Sequence, residues 1–282
     1  MANKTGRGVQ SIEVGGRLLQ VLAKAKVPLM LRELAGHASL TPGQAHAYLV
    51  SFRALGLVEQ EPSTQRYQLG PFALTLGLAR LRRSESLQIV WNAVPKLAET
   101  VRLMVTMSIW SECGPIILRL HEAEYQIYSN IRSGARYALT TTATGRLFAA
   151  LMPPGCVEPL VKAELRQARR TDQDVPTLLQ YLQMLEPIRR EMCSVTEGSP
   201  VPDISAIAVP IFDLNDQLVA AITLIGRRGV LECQPGGRHR CAVTEFASDL
   251  SAQLGYGGLG RSTRCQGDVA VSARRSITAR RE

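Results

Sequence analysis

The chain has 282 residues, 45% of them hydrophobic and 20% charged, and a formal net charge of +9. That length favours two domains over one, and no apolar run reaches the ~18 residues of a membrane span. The opening MANKTGRGVQ lacks the apolar stretch of a secretion signal, so a soluble, cytoplasmic protein with no membrane partner is expected.

The charge is unevenly placed. Residues 1–83 carry 11 Lys/Arg against 4 Asp/Glu, residues 84–256 carry 16 against 18, and residues 257–282 carry 6 against 2. A small basic domain joined to a near-neutral one suggests a polyanion reader coupled to a second activity. Six cysteines, at 113, 156, 193, 233, 241 and 265, form no CxxC pair. They point to thiols rather than a zinc site or a disulfide framework.

In SIEVGGRLLQVLAKA, the residues Ile12, Leu18, Leu19 and Leu22 recur close to helical spacing. After Pro28 a short segment, LRELAGH, places Leu31, Leu34 and Ala35 on one face. A third helix opens on a start signal. Thr41 is the N-cap, Pro42 the first helical residue, and Gln44 completes a T-x-x-Q capping box. Ala45, Tyr48, Leu49, Phe52 and Leu55 then form an apolar stripe, and Gly56 ends the helix. The outward face shows Gln44, Ala47 and Ser51, flanked by His46 and Arg53. LVEQ, EPSTQ and RYQLG read as a β-hairpin with its tip near residues 62–65. Three short helices and a hairpin are the winged helix-turn-helix order. Its third helix enters the major groove of double-stranded DNA, and Arg66 at the hairpin base reaches toward the backbone or minor groove.

Residues 71–100 read as a helical connector with Phe72, Leu74, Leu76, Ala79 and Leu81, interrupted or restarted at Pro95. Strand-like runs follow: LMVTMSIW, PIILRL and QIYSNI. TTTATGRLFAALM reads as a helix opened by threonines, with further helices near 157–170 and 177–192. SAIAVPIF and LVAAITLIG are near-continuous apolar runs, expected at the centre of a sheet, and a helix near 241–254 closes the domain. The tail after residue 256 has no apolar periodicity and reads as disordered and basic. Residues 101–256 contain none of the signatures GxSxG, HExxH, GxxxxGK[ST] and GxGxxG. His121 and His239 have no carboxylate or cysteine partner suggested by the sequence, so no enzyme, cofactor or metal is expected.

Three stretches, VQSIEVGGRLLQVL, PLMLRELAGHASLTPGQAHAYLVSFRALGLVEQ and YQLGPFALTLGLARL, resemble the IclR family of bacterial transcriptional regulators. The resemblance resumes in GARYALTTTATGRL (134–147), SVTEGSPVPDISAIAVPIFD and AAITLIG (194–226). It implies an α+β chain. Residues 1–70 would be a winged helix-turn-helix, 71–100 a helical connector packed between protomers, 101–256 a GAF-like α/β sensor domain, and 257–282 the tail.

It also implies operator DNA as partner, a small-molecule effector, and a homodimer or tetramer. The DNA-facing positions it implies are Gly43, Gln44, His46 and Ala47, with Arg32, Thr41 and Arg66 added as candidate contacts. Ala47 stands where the family commonly has Arg, which removes a candidate guanine or phosphate contact. The effector-facing positions it implies are Leu139, Thr142, Ala143, Thr144, Glu197, Ile204, Ala206, Thr223 and Ile225. Glu197 and Ala206 stand where Asp and Cys are common.

Thr140, Thr141 and Thr142 ahead of an apolar helix favour an anion, and Ile204, Ile207 and Ile225 supply walls. The expectation is a small, aromatic organic acid, with Glu197 accepting from a ligand hydroxyl. The competing expectation is a metabolite sensor that acts through protein contacts rather than DNA.

Overall fold

The computed structural model describes residues 8–25, 27–122, 131–170 and 175–258. The expected strand at QIYSNI and the tail after residue 258 lie outside those residues, Ile131 excepted. The chain divides into two compact units after Ser84. That boundary cuts through the expected connector.

In the first unit, α1 (Gln10–Lys24), α2 (Leu31–His37) and α3 (Pro42–Ala54) are followed by a hairpin of β1 (Val58–Gln60) and β2 (Tyr67–Leu69). Leu18, Leu22, Leu34, Ala35, Ala45 and Leu49 close around Val58 and Tyr67 to form the core. The backbones of Leu29 and Tyr67 exchange two hydrogen bonds, which clamp the hairpin to the segment before α2. Gly15 lets α1 approach α3: a Cβ there would lie 2.9 Å from the Tyr48 ring and 3.0 Å from that of Phe52. Two expected stripe residues are instead exposed, Ile12 and Leu55. Both stand at helix ends, where the 3.6-residue period continues past the stretch that packs. α4 (Pro71–Arg82) buries none of its residues in the single chain, and Phe72, Leu74, Leu76 and Leu78 are exposed along it.

The second unit opens with α5 (Glu85–Val101), which runs through Pro95 unbroken. β3 (Met104–Ser111), β4 (Gly114–His121), β5 (Ser194–Glu197), β6 (Ile204–Phe212) and β7 (Leu218–Arg227) form one antiparallel sheet in the order β4-β3-β7-β6-β5. β5 has no counterpart in the sequence reading. Four residues are too few to show a period of two, and the open edge of β6 supplies its partner.

Between β4 and β5 come α6 (Ala143–Leu151), α7 (Pro154–Ala168), α8 (Leu178–Met184) and α9 (Glu186–Glu191). α10 (Arg238–Gln253) closes the unit and starts three residues earlier than expected, after Gly237. The sheet is covered on both faces. Val90, Val94 and Leu97 of α5 and Val243, Ala247 and Leu250 of α10 pack on Val105, Ile207, Val209, Ile222 and Leu224. Leu147 and Phe148 of α6 pack on Ala208 and Ala221 on the other face. Cys113, Cys156, Cys193 and Cys233 are free thiols. Among the described residues no helix is long and apolar enough to cross a membrane.

Candidate functional site

The first candidate surface is α3. Its start is built as the sequence requires. The Gln44 amide donates to the Thr41 hydroxyl at 3.3 Å, and Gln44 Oε1 accepts the Thr41 amide at 3.1 Å. This reciprocal cap fixes the first turn and leaves other α3 amides pointing outward. Ala45 and Leu49 face the core, so Gly43, Gln44, His46, Ala47 and Ser51 are all exposed. That is a short polar face of the size a major groove admits.

Arg32 is exposed on α2. Arg53 is engaged with the hairpin through Gln60 Oε1 at 3.1 Å. Arg66 is engaged too: its guanidinium donates to the Pro28 carbonyl at 3.0 Å and pairs with Glu33 at 3.5 Å. The guanidinium therefore anchors the hairpin onto α2 and is less available for DNA than the sequence suggests.

The second candidate is a cavity of about 610 Å³ between the sheet and the start of α6, a size suited to a small organic ligand. It gathers Thr142, Ala143 and Thr144 from the start of α6, Ile204 and Ala206 from β6, and Thr223 and Ile225 from β7. These are seven of the nine expected positions. Register explains the grouping. Ile225 pairs with Ala206 and Ala206 with Thr196, which puts all three on the α6 face.

The same register removes Glu197. It pairs with Ser205, whose partner is Gly226, on the face opposite the cavity, where its charge acts on Cys233. Strand neighbours point to opposite faces, so Thr196 takes the place in the cavity that Glu197 was expected to hold. Ile207 is turned away for the same reason and packs under α5 and α10. Leu139 also lies outside the cavity, buried among Val161, Leu165, Tyr181 and Leu185. Of the three threonines, Thr140 gives its amide and hydroxyl to the Glu164 carboxylate at 3.0 and 3.1 Å. Thr141 is exposed. Thr142 caps α6: its hydroxyl donates to the Ala138 carbonyl at 2.7 Å and accepts the Gly145 amide at 3.0 Å.

Sequence reasoning missed the polar floor of the cavity. The Tyr137 hydroxyl lies 3.0 Å from Thr106 Oγ1, and Thr144 Oγ1 lies 2.7 Å from Thr223 Oγ1. Burial pushes the Tyr137 phenol up to about 12, so it is protonated across the physiological range. Arg136 is the one charged residue among the described residues of the lining, and its guanidinium donates to the Cys113 carbonyl at 3.0 Å. Residues 132–142 belong to no helix or strand, so no periodicity could have pointed to Tyr137 or Arg136. The arrangement offers neutral hydroxyls and the first amides of α6 beside the apolar walls of Ile117, Val201, Ile204 and Ile225, with no carboxylate among the described residues of the lining.

Two family profiles match this chain. One describes the C-terminal domain of the bacterial transcriptional regulator IclR and covers residues 80–252. The other describes the IclR helix-turn-helix domain and covers residues 11–62. The chain belongs to the IclR family. It is a ligand-responsive transcriptional regulator of that family, with a DNA-binding helix-turn-helix and an IclR-type α/β domain.

It is 28% identical over 255 residues to the glycerol operon regulatory protein of Streptomyces griseus, which covers 89% of this chain and 98% of that one. Among solved structures, HmgR of Pseudomonas aeruginosa is 26% identical with a TM-score of 0.56, covering 89% of this chain and all of that one. An IclR homologue of Microbacterium hydrocarbonoxydans, solved with 4-hydroxybenzoate, shares the fold at 17% identity and a TM-score of 0.65, covering 86% of this chain and 98% of that one. Within the IclR architecture α3 is the element of the helix-turn-helix that presents side chains outward, and the cavity sits in the C-terminal domain.

Proposed function

We propose that this IclR-family regulator responds to a small organic acid with an aromatic body and controls genes for that acid's breakdown. The observation that carries the reading is the cavity itself. An anion is favoured by the amides at the start of α6 and by Arg136, an apolar ring by the isoleucine and valine walls, and none of the described lining residues repels negative charge. The solved relative carrying 4-hydroxybenzoate supports an aromatic acid. The glycerol named in the Streptomyces griseus relative is the polyol to set against it.

Glu197 has no part in this reading, so any ligand hydroxyl is met by Tyr137 or a threonine. The DNA contacts are assigned to Gly43, Gln44, His46 and Ala47 on α3, with Arg32 and the Thr41 cap at its flank. One such helix covers only a few base pairs. Two copies on two half-sites are therefore proposed, joined in part through the apolar surface of α4.

The test is binding of the full-length protein to DNA flanking its own gene. It is run at several salt concentrations, with benzoate, 4-hydroxybenzoate, phenylacetate, pyruvate and glycerol added in turn. Affinity should fall steeply with salt, Q44A and H46A should each lose about 1–3 kcal/mol of base discrimination, and one acid should shift operator affinity by about 1–3 kcal/mol. Equal binding to operator and random DNA refutes the DNA assignment and favours action through protein contacts. A shift with glycerol alone refutes the acid.

A further inference from the structure

The four hydroxyls of the cavity floor can be counted. Thr106, Tyr137, Thr144 and Thr223 carry four O–H hydrogens. Thr106 bonds to Tyr137 and Thr144 to Thr223. Two bonds use two hydrogens, because each hydroxyl donates once and accepts twice. At least one hydrogen is left without an acceptor among the described residues. Thr106, Thr144 and Thr223 are buried and Tyr137 is half-buried, and Tyr137, Thr144 and Thr223 line the cavity. A buried donor without an acceptor is costly, so an oxygen from the ligand is the natural partner.

The surplus donor is also well placed for a carboxylate. Thr144 is the second residue of α6, so its hydroxyl stands beside the amides of Ala143 and Thr144, which have no intrahelical acceptor. We propose that Tyr137 is the residue that selects the effector's carboxylate, its hydroxyl donating to that group next to the first amides of α6. This rests on the acid-effector reading above. The phenol stays neutral and so gives the proton without burying a cation, while Arg136 is exposed and held at the Cys113 carbonyl. Arg136 thus draws anions toward the cavity, and Tyr137 distinguishes a carboxylate from its uncharged analogues.

The experiment is calorimetric titration of the full-length wild type, Y137F and T144V. The probes are benzoate, 4-hydroxybenzoate, phenylacetate and pyruvate, each beside its carboxamide. The expected result is that the wild type prefers an acid over its amide by at least tenfold. Y137F should bind the acid at least tenfold more weakly and the amide within threefold of wild type, so the preference collapses. A purely structural role for the ring would weaken acid and amide together.

An unchanged acid-to-amide ratio in Y137F, or a collapse in T144V with Y137F unaffected, overturns the assignment while leaving an acid effector intact. No binding of any acid by the wild type overturns the acid reading and this assignment with it. If Y137F does not fold, T106V removes the partner of the Tyr137 hydroxyl and should change the ratio by at least threefold. An unchanged ratio there overturns the proposal.

Discussion

Gly145 is the third residue of α6, and the cavity at the start of that helix depends on how closely it approaches the preceding loop. A Cβ at this position would lie 1.9 Å from the Ala138 carbonyl oxygen, 2.6 Å from its carbon and 2.7 Å from Leu139 Cα. Ordinary contact begins at 3.4 Å, so G145A forces helix and loop apart by about 1.5 Å in an interior with little free space. The obstacles are backbone atoms and cannot rotate away.

The loop is also held in place. Thr142 Oγ1 donates to that same Ala138 oxygen and accepts the Gly145 amide, and Glu164 accepts the Leu139 and Thr140 amides at 3.0 Å each. Overpacking of a tight core costs about 1–3 kcal/mol, and loss of the Thr142 cap adds about 1 kcal/mol. G145A is expected to destabilise the second unit by about 2–4 kcal/mol on those scales. Both tryptophans, Trp91 and Trp110, lie in that unit, so urea unfolding followed by tryptophan fluorescence reports on it selectively. A G145A midpoint equivalent to less than about 0.5 kcal/mol of change, within the range of neutral surface substitutions, refutes the reasoning.

T41A removes the cap of α3 and should cost the first unit about 1 kcal/mol. Amide hydrogen exchange in α3 should accelerate, and unchanged protection counts against the cap. Ser194 is fully buried with no hydrogen-bond partner for its hydroxyl among the described residues. S194A is expected to stabilise the second unit by about 1 kcal/mol, seen as a higher urea midpoint, and a lower midpoint shows that the hydroxyl has a partner after all. The His239 ring is buried and its Nδ1 accepts the Glu232 amide at 3.1 Å. Burial, and then the charge of Arg238, push its pKa below the ordinary 6.5. The unfolded chain therefore takes this proton first as pH falls, and stability is complete above about pH 6.5 and decreases below it. The urea midpoint should drop between pH 7.5 and 5.5, and less steeply in H239Q. An equal drop in both proteins removes His239 from the account.

The first unit was legible in the sequence almost residue by residue. Its signals are local: a capping box at Thr41 and Gln44, a helix-ending Gly56, and a polar turn between two short strands. Even so, the partners of Arg53 and Arg66 were not legible, because Gln60, Pro28 and Glu33 are brought to them by the hairpin's return onto α2. The second unit gave up its element types but not its site. Seven of the nine positions implied by the family motifs line the cavity. Glu197 and Leu139 fell outside the cavity, and Tyr137, Arg136 and Thr196 came in unannounced.

What the sequence alone determined here is what a 2.0- or 3.6-residue period and the chemistry of turns and caps can encode: two domains, their elements, the polar face of α3, and the threonine that starts α6. Tertiary structure decided which side of the sheet each strand residue serves. β5 exists because β6 offers it an edge, and its one-residue alternation sends Thr196 into the cavity and Glu197 to the opposite face. The loop that carries Tyr137 has no period of its own and takes its position from β4, whose Pro115 and Ile117 it pairs with through the backbone, and from β3, whose Thr106 meets the Tyr137 hydroxyl. Contacts between residues 31 and 79 positions apart, such as Tyr137 with Thr106 and Thr144 with Thr223, are set by strand pairing and packing. Pattern within a single segment cannot carry that information.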